Sequence, residues 1–237
     1  MPGTISALLG FPCRAFSRPC GVLFVIAEEV RNMTITYQVK NAVYVNLTNR
    51  CPCACRFCLR NNAPGVYGSD SLWLEREPSL EEVIASLAQW DLSKYPEVVF
   101  CGYGEPTERL DVLLDAAKWL KAKCPDLPIR INTNGLADLI AGHPTASLLA
   151  GVIDRLSISL NSADPQEYLE LCRPRFGEAA YPAMLKFAQD ATKYVPEVVM
   201  TIVGSPITSP KQQEACRKLC ERLGVRLRIR PYERIQG

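Results

Sequence analysis

Histidine is almost missing: His143 is the single one among 237 residues, and it lies beside Pro144, far from the cysteine-rich stretch. A zinc site of mixed cysteine and histidine ligands therefore has no histidine within sequence reach of those thiols. Long apolar runs are also absent. The one near the start, Gly21 to Ala27, is too short to cross a bilayer, and Glu28 and Glu29 follow it where a signal peptide carries small residues. No membrane segment is expected. Runs of one charge sign are missing too: the formal net charge is +2, which gives no electrostatic footprint for nucleic acid and leaves open only a local groove. Residues 1–32 lack a convincing periodic pattern.

Cysteine is what the chain has in quantity. There are eleven, and Cys51, Cys53, Cys55 and Cys58 fall within eight positions. With 48% hydrophobic and 22% charged residues, the chain is long enough for one globular domain with a sizeable core, so it needs no disulfide stapling. An odd, clustered cysteine count then points to a reducing, cytoplasmic compartment. Order begins abruptly at Met33, where MTITYQVKNAVYVNLT reads as strand, turn and strand. Residues 33–237 are expected to form the domain. Residues 1–32 are expected to be an extension, either disordered or upstream of a true start at Met33.

Beyond Ala42, short β-rich runs alternate with helical periods. Strands are expected at 42–48, 97–101, 128–133, 153–161, 197–204 and 225–230. Helices are expected at 79–90, opened by a Ser79 and Glu82 capping box, and at 109–123, 181–194 and 209–223. Strand then helix, about six times, predicts an α/β fold with parallel strands, an incomplete TIM-type barrel of six βα units. Each polar or glycine-rich stretch follows a strand's carboxyl end, the rim where such folds bind ligands. The cysteines thus belong to a site.

Two chemistries suit them. Four thiolates can close a zinc site, although the spacing is cramped, and three thiolates at C-x3-C-x2-C can hold an iron–sulfur cube with one iron left without a protein ligand. GYGEP, Gly102 to Pro106, reads as a βα turn in which the glycines permit positive φ and close ligand approach, and Pro106 holds Glu105 extended. It is no dinucleotide fingerprint, because Thr107 stands where the third glycine belongs.

Cys51, Cys55, Phe57 and Cys58 resemble the CxxxCxΦC signature of the radical SAM superfamily. The resemblance implies a [4Fe–4S] cluster on Cys51, Cys55 and Cys58, with S-adenosylmethionine on the open iron. It also implies reductive cleavage to methionine and a 5′-deoxyadenosyl radical that abstracts hydrogen from a substrate. GYGEP resembles the family's GGEP motif, with Tyr103 in place of its second glycine, so Gly102, Tyr103, Gly104, Glu105 and Pro106 are implied S-adenosylmethionine contacts. Phe57, Asn132 and Asn134 of NTNG, and Ser157, Ser159 and Asn161 of SISLN, are implied contacts too. YVNLTNRC, LWLEREP, VVFCGYGEPT, LCRPRFGEAAY and RIRPYE resemble the radical SAM proteins associated with TatD-family nucleases. That likeness implies one cluster and an electron donor such as flavodoxin or ferredoxin, and leaves the substrate open between peptide, protein and nucleic acid.

The competing function is a non-catalytic zinc or iron–sulfur protein. Cys101, Cys216 and Cys220 read as core. Cys53 and Cys172 take no assigned role, Arg173 and Arg175 read as exposed loop residues or as ligands of an anionic group, and Arg226, Arg228 and Arg230 as the solvated face of an edge strand.

Overall fold

The structure is a computed structural model that describes residues 33–232; the expected extension at 1–32 lies outside the described residues, as do 233–237. Seven strands form one sheet in chain order: β1 (Thr36–Val39), β2 (Ala42–Val45), β3 (Val98–Phe100), β4 (Ile129–Thr133), β5 (Arg155–Ser159), β6 (Glu197–Val203) and β7 (Arg226–Arg230). β1 and β2 make the expected hairpin, turning through Lys40 at φ 54°. Every later pair is parallel.

Parallel neighbours need crossovers, and six helices supply them: α1 (Leu80–Leu87), α2 (Leu110–Lys123), α3 (Ala137–Ala141), α4 (Pro165–Cys172), α5 (Ala180–Ala191) and α6 (Pro210–Leu223). The expected capping box opens α1, with Ser79 and Glu82 satisfying each other's backbone N–H groups. Two helices are not foreseen. α4 starts at the Asp164 cap, whose carboxylate accepts the Glu167 N–H, with Pro165 in the first turn; its eight residues are too few to show a helical period. α3 has only five residues.

Alternate strand residues face opposite ways, and this separates core from site. Phe100, Ile129, Ile131, Ile158, Met200 and Ile202 are fully buried with Val83, Leu113, Phe187 and Ala188 of the helices in one core. Each large side chain contributes roughly 1.5–3 kcal/mol. The other parity, with Tyr44, Val99, Arg130, Asn132, Ser157, Thr201 and Arg228, lines the concave face. Among the described residues no strand pairs β7 with β1, so the barrel is incomplete, as expected. No described helix is long and apolar enough to cross a membrane.

Candidate functional site

The cysteine loop leaves β2 and is fixed at both ends by backbone bonds. Asn49 pairs with Leu74 as a strand residue would, its Nδ2 donating to the carbonyl at 2.7 Å and its Oδ1 accepting the N–H at 3.0 Å. Arg50 is gripped by Glu77 and Glu108, and its carbonyl accepts the Glu105 N–H at 2.8 Å. The far side rests on the carboxyl end of α4. The Ala54 N–H donates to Cys172 O (3.0 Å), Arg56 N–H to Leu171 O (2.9 Å) and Arg175 N–H to Pro52 O (2.7 Å), while Cys53 bridges Pro174.

On this frame Cys51, Cys55 and Cys58 are half-buried free thiols, and Phe57 is half-buried too; Cys53 is 5% exposed and packs into the core. Hydrogen bonds from Cys172 and then Cys53 bring the Cys55 thiol down to about 4. The Cys53 bond also lowers Cys51, and Cys53 itself is pushed far up by holding its proton between those two neighbours. Burial raises Cys58. Among the described residues no three Cys, His, Asp or Glu side chains are gathered into a metal cage. The Cys55 thiol is hydrogen-bonded to Cys172 and Cys53. Three half-buried thiols on one anchored loop are the donor set that a thiolate-bound iron–sulfur cluster needs.

GYGEP follows β3 and abuts this loop, but not for the expected reason. Neither Gly102 nor Gly104 has positive φ. A Cβ on Gly104 would lie 2.2 Å from Thr48 O and 2.6 Å from Arg50 O, and one on Gly102 would lie 2.0 Å from the Asn46 side chain. Gly104 lets two backbones touch, and Gly102 makes room for the Asn46 side chain. Tyr103 is buried, donates its hydroxyl to Ala63 O at 2.5 Å and meets Trp73 edge-on. Glu105 is extended before Pro106 as expected, and its carbonyl accepts the Glu108 N–H at 3.0 Å. Its carboxylate, 3% exposed, accepts from Thr107 N and Oγ1, Thr133 Oγ1 and Asn134 N. Burial raises its pKa despite those donors.

The remaining implied residues divide between two places. Asn134 directs its Nδ2 toward the sulfurs of Cys51 and Cys53, 4.0 and 3.8 Å away. Asn161, left-handed at φ 62°, donates to Cys172 Sγ at 3.2 Å, and its buried Oδ1 has no partner. Ser159 ends β5, half-buried. Asn132 and Ser157 instead meet guanidinium groups, Asn132 Oδ1 accepting from Arg130 (3.1 Å) and Ser157 Oγ from Arg228 (2.9 Å).

Four features escape the sequence reading. Cys172 and Tyr168 enter the thiol cluster from α4. Tyr168 is 1% exposed with an unpartnered hydroxyl, its pKa raised by burial and then by the nearby cysteines. Cys101 is not core but shares the concave parity of Val99, hydrogen-bonded to Asn132. Arg228 is exposed on the edge strand, as expected, but reaches Ser157 on β5, and strand period two would have found the face that it shares with Cys101. Arg175 pairs with Glu108 at 3.2 Å and lies over the Phe176 ring. Arg173 caps α4 at φ 46°. Cys216 and Cys220 are core, as expected.

The family model described as the Radical SAM superfamily matches residues 45–220. A GTP 3′,8-cyclase of Limosilactobacillus fermentum is 31% identical over 131 residues, 55% of this chain and 36% of that protein. A radical SAM methyltransferase from Sphaerobacter thermophilus superposes with a TM-score of 0.54 at 16% identity, covering 83% of this chain and 57% of that one. A methylornithine synthase gives 0.55 at 15% identity, covering 90% and 59%. The chain therefore spans less than two thirds of these relatives' lengths, and the likenesses to solved structures concern the fold.

Proposed function

The chain belongs to the radical SAM superfamily, and from that membership we propose that it is a radical S-adenosylmethionine enzyme with its [4Fe–4S] cluster on Cys51, Cys55 and Cys58. The observation that carries the assignment is the three free, half-buried thiols of CxxxCxΦC on a loop pinned after the first parallel strand, while Cys53 is packed inward. When bound, cluster and S-adenosylmethionine supply reductive sulfonium cleavage and hydrogen abstraction from the substrate.

The chain's own residues hold and shape the chamber. Glu105 ties the GYGEP rim to β4, so Gly102, Tyr103, Gly104 and Pro106 present a fixed backbone edge beside the thiols. Asn134 and Asn161 keep amide groups against the sulfurs, and Ser159 and Phe57 border the same rim. Asn132 and Ser157, bound to arginines on the concave face, belong to the substrate side.

The finer parts of the proposal are kinship with the TatD-associated group, a cytoplasmic setting, and a flavodoxin or ferredoxin as donor. Residues 33–237 act as the catalytic domain on a peptide, protein or nucleic acid. Anaerobic reconstitution tests the core of it. Brown protein with about four irons per chain, forming 5′-deoxyadenosine on reduction, is expected. Colourless zinc protein without cleavage would leave only the non-catalytic reading.

A further inference from the structure

The concave face carries more positive charge than its carboxylates offset. Arg130, Arg155, Arg226, Arg228 and Arg230 project from β4, β5 and β7 with the parity of that face, against Glu97 and Glu197. Three of the five are paired: Arg130 with Glu97 at 2.7 Å, Arg155 with Glu97 at 3.4 Å and Glu197 at 2.8 Å, and Arg226 with Glu197. Among the described residues Arg228 reaches only the Ser157 hydroxyl. Arg230 makes no ion pair among the described residues, and its Nε is buried without a hydrogen-bond partner. A cavity of about 240 Å³, lined by Arg130, Ser157 and Arg228 among others, opens beside the first of these two.

Two neighbouring guanidinium groups with no carboxylate between them repel each other, and a buried guanidinium N–H without an acceptor is costly. Burial and the charges of Arg130 and Arg230 already push the Arg228 pKa down. An oxyanion would relieve both penalties, and the flat guanidinium fork suits carboxylate and phosphate alike. Arg230 is the last residue of β7, at the carboxyl rim from which the cysteine loop leaves β2.

We propose that Arg228 and Arg230 form an oxyanion subsite on the concave face that holds a carboxylate or phosphate of the substrate. The substrate's role in this proposal rests on the radical SAM reading above; binding of the anion does not.

Inorganic phosphate and succinate, titrated separately into the reconstituted full chain by calorimetry, distinguish the two sources. One of them is expected to saturate a single site. Arg228→Gln and Arg230→Gln should each weaken it about tenfold, as for a lost charge-assisted hydrogen bond. Arg228→Lys should restore part of the loss, and Arg226→Gln, whose parent is already paired with Glu197, should leave affinity unchanged. Reductive cleavage of S-adenosylmethionine measured on the same proteins should match the parent. Should a glutamine variant fail to fold, Arg228→Lys and Arg230→Lys must still shift the affinity of the preferred anion. No binding of either anion, or undiminished binding in the altered proteins, overturns the subsite. Loss of cleavage throughout, with anion binding intact, would instead strike at the enzyme reading.

Discussion

The buried carboxylate of Glu105 accepts the backbone N–H of Asn134 at 2.7 Å, joining the rim after β3 to the rim after β4. Its other oxygen takes both groups of Thr107 and the Thr133 hydroxyl. Glu105→Gln puts an NH2 group among donors and should cost about 1–3 kcal/mol. The sign of its pH dependence follows from burial. A carboxyl raised in the folded state contributes stability that is fully present below its unfolded value and is lost as pH rises through the folded one. The wild type's advantage over Glu105→Gln should therefore shrink in denaturant titrations as pH rises above the ordinary glutamate value. A constant or growing advantage would mean that the four donors outweigh burial.

Gly104 tests whether the GYGEP glycines serve a ligand or the fold. Because its missing Cβ would overlap the carbonyls of Thr48 and Arg50, Gly104→Ala should lower stability by about 1–3 kcal/mol before any cofactor is added. That corresponds to a fall of about 2–4 °C in Tm per kcal/mol for a chain of this size. Unchanged melting of the apoprotein with weakened S-adenosylmethionine binding would restore the ligand-approach explanation.

The thiols separate by substitution. Serine at Cys51, Cys55 or Cys58 should remove most iron and all cleavage. Cys53→Ala and Cys172→Ala, which change a core contact and a hydrogen-bond neighbour of Cys55, should keep iron content near that of the parent. Iron and sulfide analysis of the five proteins checks this, and an iron-free Cys53→Ala protein that remains folded would count against the three-ligand set.

Glu97 bonds Arg130 on β4 through both oxygens, with only 16% and 12% of the two side chains exposed. Glu97→Ala leaves a buried guanidinium unpaired and should cost about 3–5 kcal/mol. Replacing both residues by apolar ones should cost less than that single change. Calorimetric melting of the single and double variants makes the comparison.

The strand order and the position of the cysteines were legible because hydrophobic period and polar rim residues are local signals. The thiol neighbourhood was not. Cys172 and Tyr168 reach it from α4, more than a hundred positions later, and no spacing rule links them to Cys55. Gly104 was read as allowing positive φ and close ligand approach; its φ is not positive, and the close approach is to Thr48, fifty-six residues earlier. Arg228 was legible as an exposed residue of an edge strand, and it is one; its bond to Ser157, two strands away on β5, was not, because the alternation carries no information across strands.

The bonds from Ala54, Arg56 and Arg175 across to Pro52 and the end of α4 also set a timetable for biosynthesis. A ribosome makes the cysteines more than a hundred residues before Leu171 to Arg175, the segment that holds their loop in shape. During that interval residues 74–108 can hold the near end of the loop, but its far side has no partner until α4 has emerged. The loop's final shape therefore depends on a segment made more than a hundred residues after it.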